Sequence, residues 1–297
     1  MSRTPAPEVI VDAATVVRLV DSQCPQFAGL PVELLGHGWD NWLFRLGDRH
    51  IVRLPRRALA VQLLAHELQC LPLLAPTLPI PVPVPVFAGT GDASYPWPWL
   101  IAPWFAGESA DAAPLNADQA VRLAQFLRAL HQPDKGAAPG NDHRGIPLSR
   151  RTETARGCWD VQAQRGDRLD PALAALWDQA CHAPLPDERV WLHGDLHYAN
   201  VLVQHGAFTA IVDWGDVCGG DPATDLAAFW GLFDDPVARQ AGLTAYGADA
   251  ATRLRAMGWA LSFGSVLLSS GLADNPRHAD SGRATLRRLR DDLRQSQ

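Results

Sequence analysis

Trp191-Leu-His-Gly-Asp-Leu-His-Tyr-Ala-Asn-Val-Leu-Val203, followed closely by Thr209-Ala-Ile-Val-Asp-Trp-Gly-Asp216, is the stretch that decides the fold of this chain. Val190 to Leu192 reads as a short apolar strand and His193 to Asn200 as a polar loop. Val201 to Val203 and Phe208 to Val212 form a hairpin across Gln204-His-Gly206. That hairpin delivers Asp213 beside the loop, so Asp195, Asn200 and Asp213 can converge. Taken singly, an Asp or Asn there is an ordinary loop cap. Taken together between apolar strands, they suit phosphoryl transfer. One carboxylate accepts the hydroxyl proton, and hard oxygen ligands hold the magnesium that bridges the phosphates.

The spacing His193-x-Asp195-x-x-x-x-Asn200 is that of the protein-kinase catalytic loop, and Asp213-Trp214-Gly215 stands where kinases carry Asp-Phe-Gly. The wording His-Gly-Asp-Leu-His-x-x-Asn-Val-Leu, with Ile-Val-Asp-Trp-Gly-Asp and Gly220-Asp-Pro-Ala-Thr-Asp-Leu-Ala227 after it, resembles the aminoglycoside phosphotransferase family. The likeness is specific over Trp191 to Ala227 and looser over Leu34 to Gly107. It implies Asp195 as the catalytic base and Asn200 and Asp213 as magnesium ligands. It also implies that His193 and Asp225 brace the loop. His197 is typical of the motif, and the resemblance leaves its role open, with a place near the γ-phosphate as one option.

Upstream, Val32–Gly38, Asn41–Leu46 and His50–Leu54 read as short strands split by turns, and Leu59–Leu71 as a helix. Gly36-His-Gly38-Trp-Asp-Asn41 lies between two strands, where Gly36 and Gly38 let the backbone approach a nucleotide. Arg53 occupies the third strand at the place of the kinase lysine, and Glu67 is its helix partner. Arginine keeps the charge but changes the geometry. Arg56 and Arg57 are the alternatives for phosphate contact. In Ile101-Ala-Pro-Trp-Phe-Ala-Gly107 the resemblance implies a hinge between lobes, with adenine on backbone groups near Ala102 to Trp104. Trp104 stacks on the base or packs in the core.

The run Leu78-Pro-Ile-Pro-Val-Pro-Val-Pro-Val-Phe87 excludes helix and central strand. It reads as an extended connector, with Ile80, Val82 and Val84 inward, leading to an edge strand at Val84–Ala88. Downstream, helices are expected over Ala117–His131, Pro171–His182, Pro222–Phe233, Ala250–Ala273 and Arg283–Leu293, and a loop over Pro133–Ser149. Met257 to Ala273 is uncharged, but its serines and glycines suit a buried helix better than a membrane span.

Together these readings predict an α+β, bilobal protein-kinase-like fold. An antiparallel-sheet N-terminal lobe (1–104) binds nucleotide, and a helical C-terminal lobe (105–297) carries the catalytic loop and the substrate site. ATP (or GTP) and Mg²⁺ are the implied cofactors. With 47% hydrophobic and 20% charged residues among 297, the chain can bury a core. A net charge of −6 does not suit a nucleic-acid binder, and no membrane partner is expected. Met1 to Pro7 has no apolar signal core, and the five cysteines, Cys24, Cys70, Cys158, Cys181 and Cys218, lack metal or redox spacing, which together point to the cytoplasm. The expected acceptor is small and cationic, an aminoglycoside-like amino sugar held by Asp216, Asp221, Asp234 and Asp235. A macrolide is the alternative, in an apolar pocket of Trp230, Phe233 and Trp259, followed by an amino alcohol or sugar. A pseudokinase scaffold would lack Asp195, Asn200 or Asp213. A protein kinase would need a long activation loop, for which Val217 to Asp221 leaves little room.

Overall fold

The computed structural model describes residues 4–295, so the first residues of the Met1–Pro7 stretch lie outside the described residues. Its front is an antiparallel sheet of β1 (Val32–His37), β2 (Asn41–Leu46), β3 (His50–Pro55), β4 (Phe87–Gly89) and β5 (Trp99–Pro103), in the order β1-β2-β3-β5-β4. The period-2 pleat of β5 explains how both faces are covered. Trp99 and Ile101 face one side with Phe44, Val52 and Leu54, against Val16, Leu19 and Val20 of helix α1 (Ala13–Gln23). Leu100 and Ala102 face the other, against Leu64 and Leu68 of helix α2 (Leu59–Leu74).

Helix α1 is an addition to the front, which the sequence predicts to be mostly strand with one helix over Leu59–Leu71. Its signals were present: Asp12 caps the Thr15 N–H, and Val16, Leu19 and Val20 recur at helical spacing. The proline run behaves as an extended connector. Ile80 and Val82 are buried, and the Pro81 carbonyl accepts from Ile211 N–H at 3.0 Å. The strand that follows, β4, is at the sheet edge.

The back is mostly helical. A short strand β6 (Glu108–Ser109) leads to α3 (Gln119–Leu130), α4 (Thr152–Gln164) and α5 (Pro171–His182). Strand β7 (Val190–Leu192) enters the central loop. The hairpin β8 (Val201–Gln204) and β9 (Ala207–Ile211) leaves it, and β10 (Cys218–Gly220) pairs back with β7. The hairpin turn has positive φ at both His205 and Gly206, the conformation of a two-residue turn that matches strand twist.

The expected helix over Pro222–Phe233 is two short ones, α6 (Ala223–Leu226) and α7 (Ala228–Leu232). Next come α8 (Pro236–Tyr246), α9 (Ala250–Asp274) and α10 (Pro276–Gln295). Helix α10 starts earlier than expected because its buried positions include Ala279, Gly282 and Thr285, which carry little hydrophobic signal. Helix α9, which contains the uncharged stretch, is enclosed by other helices. Helix α4 meets its polar groups at Ser265, where Gln162 Nε2 donates to Ser265 O at 2.8 Å and Trp159 Nε1 to Ser265 Oγ at 3.0 Å.

Candidate active site

Strand β7 leads into His193, which is fully buried and anchored at three points. Its N–H donates to Asp225 Oδ2 at 2.7 Å, its Nε2 lies 3.1 Å from Val212 O, and its Nδ1 accepts from Asp195 N–H. Asp225 also accepts from Gly194 N–H at 2.9 Å and meets His131 Nε2 at 3.2 Å. Burial works to raise the Asp225 carboxyl, but His131 and His193 outweigh it and hold it below the usual carboxylate range. Asp225 and His193 thus brace the loop from beneath. Gly194 has φ +85°, and a Cβ there would sit 2.4 Å from the Asp216 carbonyl oxygen. Only glycine fits this approach of the two loops.

The brace presents Asp195, whose side chain is partly buried. Arg144 Nη2 donates to its Oδ1 at 2.8 Å, and His197 Nε2 lies 3.4 Å from its Oδ2. Burial opposes ionisation, yet Arg144 and then His197 outweigh it, so the carboxyl is held well below its usual range. Asn200 Nδ2 donates to the Asp195 carbonyl at 2.8 Å, which leaves Asn200 Oδ1 as its acceptor atom. Val212 N–H donates to Asn200 O at 2.9 Å and draws Asp213 alongside. Asp213 has φ +63°, an unusual backbone for a non-glycine residue.

Across the cleft, Arg53 Nη1 donates to both carboxylate oxygens of Glu67 at 2.6 Å, and Nη2 to Asp213 Oδ1 at 2.9 Å. Glu67 is wholly buried. Burial pushes it up to about 6, against the pull of Arg53. Of the sequence-predicted residues, Arg53, Glu67 and Asp213 are joined by direct contacts across the two halves and Asp195 and Asn200 by another, and the Val212 N–H bond to Asn200 O links the two groups through the backbone. Asp213 keeps one oxygen beyond Arg53, and its side chain is 53% exposed. With Asn200 Oδ1 this is a two-oxygen donor set, which suits magnesium, an ion that retains several waters and binds phosphate oxygens as well.

Other expected residues sit differently. Gly36 forms a bulge in β1 with φ +136°, and Gly38 closes the turn to Asn41; the space where a Cβ would project is open at both. Arg56 Nη1 donates to Gly38 O at 2.9 Å and Arg57 pairs with Asp40, so both hold the glycine turn rather than stand free for phosphate. Trp104 N–H donates to Arg49 O at 2.8 Å, and Ala102 pairs with Ile51 in the same ladder. Alternate residues of an antiparallel strand turn their backbone groups the same way. The backbone groups of Ala102 and Trp104 are therefore committed to β3, and those of Pro103 and Phe105 turn away from it. The Trp104 ring is covered by the Arg45 guanidinium, 4.2 Å from its centroid, and is neither core nor an open base-stacking face.

The carboxylates expected to hold a cationic acceptor are mostly engaged elsewhere. Asp221 is buried against Arg255 at 2.7 Å, Asp234 pairs with Arg287 and Arg288, and Asp235 caps α8. Asp216 remains near Asp195 and accepts from Asn141 Nδ2 at 2.8 Å. Trp230, Phe233 and Trp259 are buried in the core, so they do not form an open apolar pocket. Sequence reasoning missed Arg144. It lies in the Pro133–Ser149 loop, far from Asp195 along the chain, where no local pattern marks it.

The five-stranded antiparallel sheet and the helical half bearing this loop form the protein-kinase-like α+β fold. The chain is similar over 97% of its length to the GDP complex of wild-type aminoglycoside 2'-phosphotransferase-IIIa, covering 100% of that chain with a TM-score of 0.69 at 18% identity. It is similar to macrolide 2'-phosphotransferase MphH from Brachybacterium faecium with a TM-score of 0.60 at 22% identity, covering 93% of this chain and 97% of that one. Residues 31–259 match the phosphotransferase enzyme family, and the chain belongs to that family. A curated relative, the uncharacterized protein YcbJ of Bacillus subtilis (strain 168), is 29% identical over 133 residues, an alignment that spans 42% of each chain.

Proposed function

We propose that this phosphotransferase is a small-molecule kinase that transfers the γ-phosphoryl group of ATP or GTP to a hydroxyl of its acceptor. The observation that carries this reading is the convergence of Asp195, Asn200 and Asp213 with the Arg53–Glu67 pair. Residues 1–104 form the nucleotide lobe and 105–297 the lobe with the catalytic loop and acceptor site. Arg53, held rigid by Glu67, orients the α- and β-phosphates. Gly36 and Gly38 leave room for the triphosphate. The hinge backbone that turns away from β3, at Pro103 and Phe105, meets the base. Asn200 and Asp213 hold magnesium, which when bound neutralises charge on the phosphate oxygens. Asp195, depressed but fully ionised at neutral pH, orients the acceptor hydroxyl and takes its proton as the new bond forms.

Likeness to an aminoglycoside phosphotransferase solved with GDP supports a nucleoside triphosphate donor. The amino-sugar acceptor expected from sequence now rests on that likeness and on Asp216. Five free cysteines support a cytoplasmic setting. A coupled nucleotide-consumption assay with ATP and with GTP, over aminoglycosides, macrolides, amino alcohols and sugars, tests the reading. Acceptor-dependent consumption that vanishes without magnesium is the expected result. Nucleotide binding with no acceptor-dependent turnover in any class counts against it.

A further inference from the structure

The groups around Asp195 do not match a cationic acceptor. Arg144 holds Oδ1 at 2.8 Å and His197 approaches Oδ2 at 3.4 Å. His143, next in the chain to Arg144, lies with its Nδ1 3.4 Å from Arg151 Nη1. Arg151 is 6% exposed, its Nε has no partner, and it has no carboxylate partner among the described residues. The Nε of Arg144 is likewise buried without a partner. A buried guanidinium is costly unless its charge and N–H groups are matched. Burial, and then the Arg144 charge, hold Arg151 below an ordinary guanidinium. The Arg144 guanidinium also lies 5.2 Å from the Phe263 ring of α9, which fixes its approach to the loop. Asp195 and the Asn141-bound Asp216 are the carboxylates whose charge reaches Arg144.

Resting on the kinase reading above, the geometry points to an acceptor that carries an anionic substituent, a phosphate, sulfate or carboxylate, bound by Arg144 and Arg151 beside the hydroxyl that Asp195 orients. Two forked guanidinium groups fit such oxygens bidentately. The anion supplies Arg144 with a partner other than Asp195, which frees the carboxylate to meet the hydroxyl. The same cations offset repulsion between the acceptor's charge and the incoming γ-phosphate. An amino sugar would leave Arg151 unmatched and bring an ammonium toward it, where like charges disfavour it.

Calorimetry on the full chain, saturated with magnesium and a non-hydrolysable ATP analogue, reads the site apart from catalysis. The probes are sulfate, glycerol 3-phosphate, glucuronate, glucose, glucosamine and kanamycin. Saturable binding of the anionic probes, with glucose and the amines weaker, is expected; glycerol 3-phosphate against glucuronate separates phosphate from carboxylate acceptors. Arg144→Gln and Arg151→Gln should each weaken the anions by about tenfold to a hundredfold, the range for a charge-assisted hydrogen bond, and leave analogue affinity unchanged. Arg151→Lys, which retains the charge, should recover part of the loss and guards against a folding defect in Arg151→Gln. Failure of every anionic probe to bind, or preference for glucosamine or kanamycin, overturns the proposal. Failure of the nucleotide analogue itself to bind overturns the kinase reading beneath it.

Discussion

The two sides of the cleft are built on opposite charge logic. On the nucleotide side one guanidinium, Arg53, lies between two carboxylates, Glu67 and Asp213. On the proposed acceptor side Arg144 faces two carboxylates, Asp195 and Asp216, while Arg151, which meets His143, has no carboxylate partner among the described residues. The first arrangement has carboxylate charge to spare and is completed by a cation. The second leaves Arg151 unmatched, the cation that the proposed anion would complete. A buried charge left unmatched costs several kcal/mol, so each imbalance is informative about the missing partner.

The largest expected break of this contrast is Asp213→Ala. It removes the exposed carboxylate from the nucleotide side and should abolish turnover. Magnesium titrations of nucleotide binding check it: the variant should lose the dependence that the parent shows, and identical curves would remove Asp213 as a ligand. Arg53→Ala comes next. It should raise the nucleotide KM by about tenfold to a hundredfold, as for loss of a charged hydrogen bond, with little change in acceptor KM. Because it leaves Glu67 buried and unpaired, it should also lower stability by about 3–5 kcal/mol. Arg53→Ala with Glu67→Gln should recover stability but not the KM. Initial-rate kinetics beside denaturant unfolding separate the two effects.

Gly194→Ala strikes the brace between the two sides. Its Cβ would meet the Asp216 carbonyl at 2.4 Å from a left-handed backbone, and a loss of about 1–3 kcal/mol in denaturant unfolding is expected.

The smallest effect is one of pH. The Glu67 carboxyl is pushed from 4.5 up to about 6 in the fold, so between those values the native chain holds more protons than the unfolded one. Stability from this group is therefore fully present below 4.5 and is lost as pH rises through about 6, by about 2 kcal/mol in all. Glu67→Gln should flatten that slope, which unfolding midpoints measured across the window will show.

Much of the nucleotide side was legible in sequence because its signals are local. Strand β2 falls where the sequence puts it, and in the other lobe so does helix α5, which the structure shows capped by Asp170. The loop from His193 to Asn200 and the hairpin that delivers Asp213 were readable from turn chemistry. Helix α1 was read past because strand signals dominate the front, although its cap was in view. Pleat parity, not composition, decides which backbone groups turn away from β3, and the engagement of Ala102 and Trp104 with that strand was not legible in sequence. The acceptor side was least legible. Arg144 and Arg151 stand in and beside a loop of proline, glycine and asparagine, and only the tertiary fold brings them to Asp195. Two of the acidic residues that suggested a cationic acceptor, Asp221 and Asp234, are drawn to Arg255, Arg287 and Arg288 by helices α9 and α10.

The proposed role of Asp195 is to accept the hydroxyl proton in phosphoryl transfer. Asp195→Asn tests it most directly, because the amide keeps the shape and loses the base. Single-turnover kinetics should fall by about 10² to 10⁴ in rate while magnesium–nucleotide affinity stays at the parent value. Turnover within about threefold of the parent, with nucleotide affinity unchanged, would contradict the account.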